Sequence, residues 1–255
     1  MSKTRPKERC IHCLKIKERT DDHILPKSYY PTSVSGEVKN QWVAPACQEC
    51  NNDLGKAEDE LLTLFGLCLN RRTDTISPTS DISQKVLRSL NPKATIDGRE
   101  GKIREARTRK ILRSIFPTRG SMDGIFPNFG YHAGWTPEEQ YGVPIPADLP
   151  EKVGLKLIKG IEHKLDGRYV DNSFDLNVYF CHEDTIHDVI SLIRNNGQKH
   201  TIAPGFEFYR VAFEQRYFLY EIRIWDKFVI YGSMMKKSWW RLILNPWHFL
   251  FLSEI

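Results

Sequence analysis

The sequence predicts an α+β protein, in which a small cysteine-containing module precedes several helices and an antiparallel sheet. Three observations predict this class: two Cys-x-x-Cys pairs near the N-terminus, amphipathic helical patterns in the middle, and three β-rich segments near the C-terminus. The chain has 255 residues, of which 40% are hydrophobic, and a net charge of +5. This length suits one large domain or two smaller ones, and the composition excludes disordered, collagen-like and coiled-coil classes.

Composition also indicates where the protein works. No segment approaches the roughly 18 consecutive apolar residues that a membrane-spanning helix needs, and the N-terminus lacks the apolar stretch of a signal peptide. Six cysteines, four of them in two close pairs, favour bound metal in a reducing compartment over a disulfide framework. We therefore expect a cytoplasmic protein that makes no membrane contact.

Residues 1–72 are predicted to form the first unit. Apolar stretches around residues 24–25 and 42–44 separate its two cysteine pairs, and a helix follows the second pair. Asn51, Asn52 or Asp53 can cap that helix. Apolar residues then recur at helical spacing: Leu54, Ala57, Leu61, Leu62, Phe65 and Leu69.

The middle of the chain is predicted to be helical and then irregular. Residues 73–116 read as a basic helical extension, with a short helix between Pro78 and Pro92 and a basic helix from Lys102 to Phe116. Pro117 is expected to end the second helix. Glycine and proline then recur through residues 117–150, which predicts a linker or long loop.

Residues 151–255 are predicted to form an α+β domain with an antiparallel sheet and an unassigned role. Helical patterns cover residues 153–163 and 184–194, the second with Asp184 as its cap. Strand patterns separated by short turns cover 174–181, 206–213, 217–224 and 228–231. The aromatic tail at 239–251 is expected to be buried or to form an oligomer contact rather than to bind a membrane.

The two cysteine pairs predict a metal site. Four thiolates, from Cys10, Cys13, Cys47 and Cys50, can close the tetrahedral shell of a structural zinc ion. The alternatives are a redox-active pair and free buried cysteines. His12, inside the first pair, is a residue that supports a metal ligand by hydrogen bonding, a phosphate contact or an exposed turn residue. The isolated Cys68 and Cys181 are expected to be packed as apolar residues.

A second motif lies between the pairs. Cys-x-x-Cys, then Asp-His-Ile-Leu-Pro-Lys-Ser, then Cys-x-x-Cys-Asn resembles the HNH endonucleases of the ββα-metal class in their zinc-stapled form, over about residues 10–65. The resemblance implies that His23 is the general base and that Asp22 and Asn51 bind a catalytic Mg²⁺ or Mn²⁺. Trp42 stands where the family has its middle asparagine, and Asn40 is the nearest asparagine.

The same residues suit phosphodiester hydrolysis on chemical grounds. A neutral imidazole can activate water near neutral pH, which suits His23. Oxygen ligands suit the hard cation that offsets charge on the phosphate, which Asp22 and Asn51 can supply. Because adjacent residues on a regular strand point to opposite faces, Asp22 and His23 can share a site only where the strand twists, bulges or ends.

We therefore predict a metal-dependent endonuclease whose partner is DNA. One alternative is a zinc-ribbon module that binds nucleic acid without cutting it. Another makes residues 151–255 a protein-interaction or ligand-sensing unit that controls the nuclease, with a homo-oligomer or a regulatory protein as partner. Six residues near the motif or on the basic helix are the predicted phosphate contacts: Lys27, Ser28, Lys56, Arg107, Lys110 and Arg113.

Overall fold

The structure is a computed structural model that describes residues 5–30, 42–69, 82, 85–86, 89–90, 99–117, 141–180, 186–203, 205–225 and 227–237. These residues form helices and sheets, which confirms the predicted α+β class. Within these ranges, no helix combines the length and apolar character needed to cross a membrane. The predictions on Asn40, Cys181, Asp184 and the tail at 239–251, and most of the predicted linker at 117–150, concern residues outside the described ones.

The N-terminal part is a three-stranded antiparallel sheet followed by a helix. Its strands are β1 (Lys7–Arg9), β2 (Ile16–His23) and β3 (Val43–Cys47), and β2 lies in the centre. The first cysteine pair occupies the turn from β1 to β2. Leu14 closes that turn with a φ of 63°, a left-handed conformation that is strained for a residue with a side chain. Helix α1 (Gln48–Leu67) follows β3 directly.

Helix α1 begins earlier than the sequence predicts. Its N-cap is Cys47, which makes no side-chain capping bond, so the predicted cap at Asn51, Asn52 or Asp53 is wrong. The reason is that β3 ends at Cys47 and the chain enters the helix without a loop. Cys50 therefore lies in the first helical turn, on the same side as Cys47, and Asn51 lies inside the helix.

The middle segment is helical where it is described. Residues 82, 85–86 and 89–90 are helical, and helix α2 (Arg99–Ser114) is the predicted basic helix. Two short strands follow and pair with each other, β4 (Phe116–Pro117) and β5 (Tyr141–Gly142). The first described residues of the segment pack on α1, because a Cβ on Gly66 would lie 2.4 Å from a methyl group of Val86.

Helix α3 (Asp148–Asp166) begins inside the segment that the sequence predicts to be a linker. The prediction from proline is wrong here because Pro150 lies in the first turn, where the helix needs no backbone N–H. Asp148 and Glu151 in the same turn complement the helix dipole. The helix ends at Gly167, whose φ of 64° suits glycine and whose N–H bonds the carbonyl of His163 at 3.0 Å.

The C-terminal part contains the predicted antiparallel sheet. Its elements are β6 (Phe174–Tyr179), α4 (His187–Asn196), β7 (Gln198–Ala203), β8 (Phe206–Phe213), β9 (Tyr217–Ile224) and β10 (Phe228–Lys236). The strand order is β6-β10-β9-β8-β7. Strand β7 and the longer extent of β10 were not anticipated. The N-cap of α4 is Ile186 rather than the predicted Asp184, which lies outside the described residues.

Two helices cover the two faces of this sheet. Helix α4 covers one face with Val189, Ile190 and Ile193. Helix α3 covers the other, and it also packs against the N-terminal sheet and α1. The main buried cluster therefore contains residues from both ends of the chain, among them Phe65 and Trp225. The N-terminal module and the C-terminal sheet share a core.

Candidate functional site

The four predicted cysteines come together as a cluster that could bind a metal such as zinc. The Sγ atoms of Cys10, Cys13, Cys47 and Cys50 all lie within 4.8 Å of one another. None of the five described cysteines forms a disulfide. Cys68 stands apart from the cluster, and burial raises the pKa of its thiol to about 11, which fits the prediction that it packs as an apolar residue.

Local backbone hydrogen bonds shape the turn of the first cysteine pair. Bonds from the Leu14 N–H to the Cys10 carbonyl at 2.9 Å and from the Cys10 N–H to the Lys15 carbonyl at 3.0 Å close this turn. Burial alone would raise the pKa of Cys10, but backbone N–H groups, including that of His12, favour its thiolate and lower the pKa. A thiolate with such donors could ligate a metal.

Asp22 is not open to solvent but lies in a buried ion cluster. Its side chain is 3% exposed. One carboxylate oxygen, Oδ2, accepts a hydrogen bond of 2.8 Å from His12 Nε2, and the other, Oδ1, lies 2.8 Å from Lys156 Nζ. The predicted cation ligand therefore has both oxygens engaged by residues of the same protein.

Lys156 of α3 is the centre of this cluster. Its ammonium donates to Asp22, to the backbone carbonyl of His23 at 2.7 Å and to the carboxylate of Glu58 on α1. These are three acceptors for the three N–H groups of an ammonium. The Lys156 side chain is 2% exposed, so it makes a fully hydrogen-bonded cation inside the protein.

The two carboxyl groups beside Lys156 differ in pKa. Burial alone would raise the pKa of Asp22, but the hydrogen bond from His12 and the charge of Lys156 outweigh burial and hold it below the usual value. Burial raises the pKa of Glu58, and the charge of Lys156 compensates only in part. Asp22 is therefore the more strongly ionised of the two.

Asn51 contacts Thr20, which stands two residues before Asp22 on β2. Its amide nitrogen donates to the hydroxyl of Thr20 at 3.3 Å, and that hydroxyl donates to the Ala46 carbonyl at 2.9 Å. Thr20 and Asp22 are alternate residues of β2, so they share one face of the strand, and Asn51 reaches that face. His23 is half-buried at the last position of β2, where the strand ends.

Trp42 stands at the position where the HNH endonucleases have their middle asparagine, and its indole has no amide to take the place of that side chain. Its ring packs edge-on against Phe208, with centroids 5.7 Å apart. Its carbonyl accepts a 2.9 Å bond from the N–H of Ile24, the residue after His23. A backbone bond thus fastens the end of β2 to the start of β3.

The predicted phosphate contacts differ in their surroundings. Lys27 and Lys56 are exposed, whereas the backbone of Ser28 accepts a bond from Lys85. On α2, Arg107 is turned onto α1, where it bonds the hydroxyl of Thr63 at 2.8 Å. The other two predicted basic residues of α2, Lys110 and Arg113, are exposed. Their contacts with nucleic acid stay predictions.

Sequence reasoning missed Glu58 and Lys156. Glu58 carries a weak signal, because it lies seven residues after Asn51 and so on the same face of α1. Lys156 carries another, because it interrupts the apolar run around Val153 and Leu157. The ammonium of a lysine in such a run ordinarily reaches solvent, so neither signal predicts an ion cluster.

No protein-family model, curated protein or solved structure matches this chain.

Proposed function

We propose that the N-terminal part of this chain is a zinc-stabilised endonuclease of the HNH type that hydrolyses phosphodiester bonds in DNA. The observation that carries the proposal is the position of the cysteine cluster, which lies between the turn before β2 and the start of α1. Asn51, near the start of α1, bonds Thr20, which stands two residues before Asp22 on β2. The motif resemblance implies two strands and a helix around such a cluster.

In this proposal each residue has a chemical task. Zinc, held by the four cysteines, fastens the strand turn to α1, since four thiolates within a few ångströms are the ligands zinc prefers. His23 acts as the general base toward water. Asp22 does not offer a ready cation ligand in this arrangement, because His12 and Lys156 engage both of its carboxylate oxygens. Asn51 donates to Thr20 through its amide nitrogen, so its carbonyl oxygen is the atom that would bind the cation.

That engagement favours a second candidate, a nucleic-acid-binding module that does not cut. In this function the Lys156 ammonium is a permanent structural substitute for the catalytic cation, and Asp22 serves to bind it. A buried, hydrogen-bonded ion pair needs no metal to be stable. The two candidates differ in one measurable property, cleavage of DNA.

Replacing His23 by alanine is expected to lower DNA cleavage by about 10² or more, the scale of a lost general base. The measurement is nicking and linearisation of plasmid DNA with and without Mg²⁺ or Mn²⁺. Because His23 is not a zinc ligand, zinc content should persist. DNA affinity should also persist, because the substitution removes no lysine or arginine contact to phosphate.

His187→Ala is the matched control, since its side chain is 80% exposed on α4, in the C-terminal part of the chain. It should cleave as the unaltered protein does. Wild-type protein that binds DNA but leaves it intact with every cation tested would establish the binding module instead. Equal cleavage by His23→Ala and wild type would remove His23 from the chemistry.

Replacing Lys110 and Arg113 together by alanine is expected to flatten the salt dependence of DNA binding. Each phosphate contact releases counterions when the complex forms, so a protein with fewer contacts releases fewer of them. The slope of log K against log[salt] should fall by up to about one unit per contact. Fluorescence anisotropy across a salt series measures it. Arg107→Ala is the internal comparison: its guanidinium bonds α1, so it should lower stability and leave the slope unchanged. A slope unaffected by the double substitution would exclude α2 from the interface.

A further inference from the structure

Lys156 reaches the motif from outside the N-terminal module. Helix α3 is held between the end of β2 and the C-terminal sheet by two close approaches. A Cβ on Gly160 would lie 2.6 Å from a methyl group of Ile24, and one on Gly154 would lie 2.5 Å from a methyl group of Val178. Packing on both sides thus sets where the Lys156 ammonium lies.

The ammonium and a divalent cation compete for the same carboxylate. Lys156 Nζ lies 2.8 Å from Asp22 Oδ1 and also contacts Glu58, so it supplies the positive charge that this pair of acids needs. A second cation placed against Asp22 would be repelled by the ammonium in a buried environment of low polarity. Divalent cation binding at Asp22 therefore requires that Lys156 leave.

We propose that Lys156 is an autoinhibitory contact, whose ammonium keeps the cation site of the proposed nuclease closed. This inference rests on the proposed function. The ammonium has an acceptor for every N–H group, so the closed arrangement is fully hydrogen-bonded without a metal. Removing the ammonium would leave Asp22 and Glu58 as two buried carboxylates without a cation.

The test is to remove the ammonium and measure binding of Mn²⁺, which prefers oxygen ligands to the cysteine thiolates. Lys156→Met keeps the length of the side chain and removes its charge. We expect this variant to bind Mn²⁺ at least about tenfold more tightly than wild type, measured by the electron paramagnetic resonance of free Mn²⁺. Its melting temperature should rise with added Mn²⁺, while that of wild type should not.

Lys159→Met is the matched control. Lys159 lies on the same helix and bonds the backbone carbonyl of His12 at 3.3 Å, so its loss removes a contact to the module without uncovering Asp22. This control should bind Mn²⁺ as wild type does. Adding Glu58→Gln to Lys156→Met should reverse the gain, because it removes one of the two carboxylates.

The outcomes separate the inference from the proposed function. Unchanged Mn²⁺ affinity in Lys156→Met would overturn the inference, even where wild type cleaves DNA. A Lys156→Met protein that does not fold with Mn²⁺ present would also overturn it. Bound Mn²⁺ should compensate the charge of the two buried carboxylates, Asp22 and Glu58, and so stabilise the fold. Gained Mn²⁺ binding with no cleavage in any variant would support the closed cation site and overturn the nuclease.

Discussion

Cys47→Ser is expected to abolish the zinc binding that we propose for the cysteine cluster and to unfold the N-terminal module. Cys47 is 2% exposed and is both the last residue of β3 and the N-cap of α1, so its thiolate joins the strand to the helix. Structural zinc contributes on the order of 10 kcal/mol to the folding of small zinc domains. Loss of one of four ligands removes much of this stabilisation.

The measurement combines zinc content by mass spectrometry with circular dichroism and limited proteolysis. Wild type should hold about one zinc per chain, and the variant close to none. Cys68→Ser is the matched control, because Cys68 follows the end of α1 and is not part of the cluster. It should keep its zinc. A metal-free protein that remains fully folded would contradict the structural role of the cluster.

Trp225→Ala is expected to lower the free energy of unfolding by about 3–5 kcal/mol, the range for truncating a buried aromatic residue. Trp225 is fully buried, and its indole N–H bonds the backbone carbonyl of Tyr29 at 3.0 Å. Its ring also packs against Tyr29, with centroids 5.6 Å apart. The side chain thus links the C-terminal sheet to the N-terminal module.

Because the two parts share this contact, the whole chain should lose stability together. Urea unfolding followed by Trp fluorescence and by far-ultraviolet circular dichroism should give one lowered midpoint by both probes. Tyr141→Ala, at a side chain that is 66% exposed, should change stability by less than about 0.5 kcal/mol. A midpoint in Trp225→Ala that is lowered only for the C-terminal part would show that the module folds independently.

Predictions from local pattern succeeded where a short segment contains its own signal. The short spacing within each Cys-x-x-Cys pair keeps its two thiols close together. The cluster therefore forms once the two pairs, which are distant along the chain, approach each other. The β-rich segments around residues 206–213 and 217–224 became neighbouring antiparallel strands, because a short turn between two strands favours a hairpin. The basic pattern between Lys102 and Phe116 became α2, displaced at both ends.

Two predictions of where a helix begins were wrong. Asn51 is a good capping residue, yet α1 begins at Gln48 because the chain enters it from β3 at a cysteine of the cluster. Proline and glycine predicted a linker up to residue 150, yet α3 begins at Asp148 because its first turn accommodates proline. The proposed roles of His23, Asp22 and Asn51 stay predictions.

The sequence by itself determined the α+β class and the four cysteines of the cluster, since both follow from local spacing and pattern. Only the tertiary structure decided the surroundings of Asp22. Lys156 lies 133 residues from His23 along the chain. A lysine is exposed unless packing on several sides buries it beside acids, and no local pattern specifies that packing. The contact most relevant to the proposed function therefore arises where α3 lies between the module and the sheet.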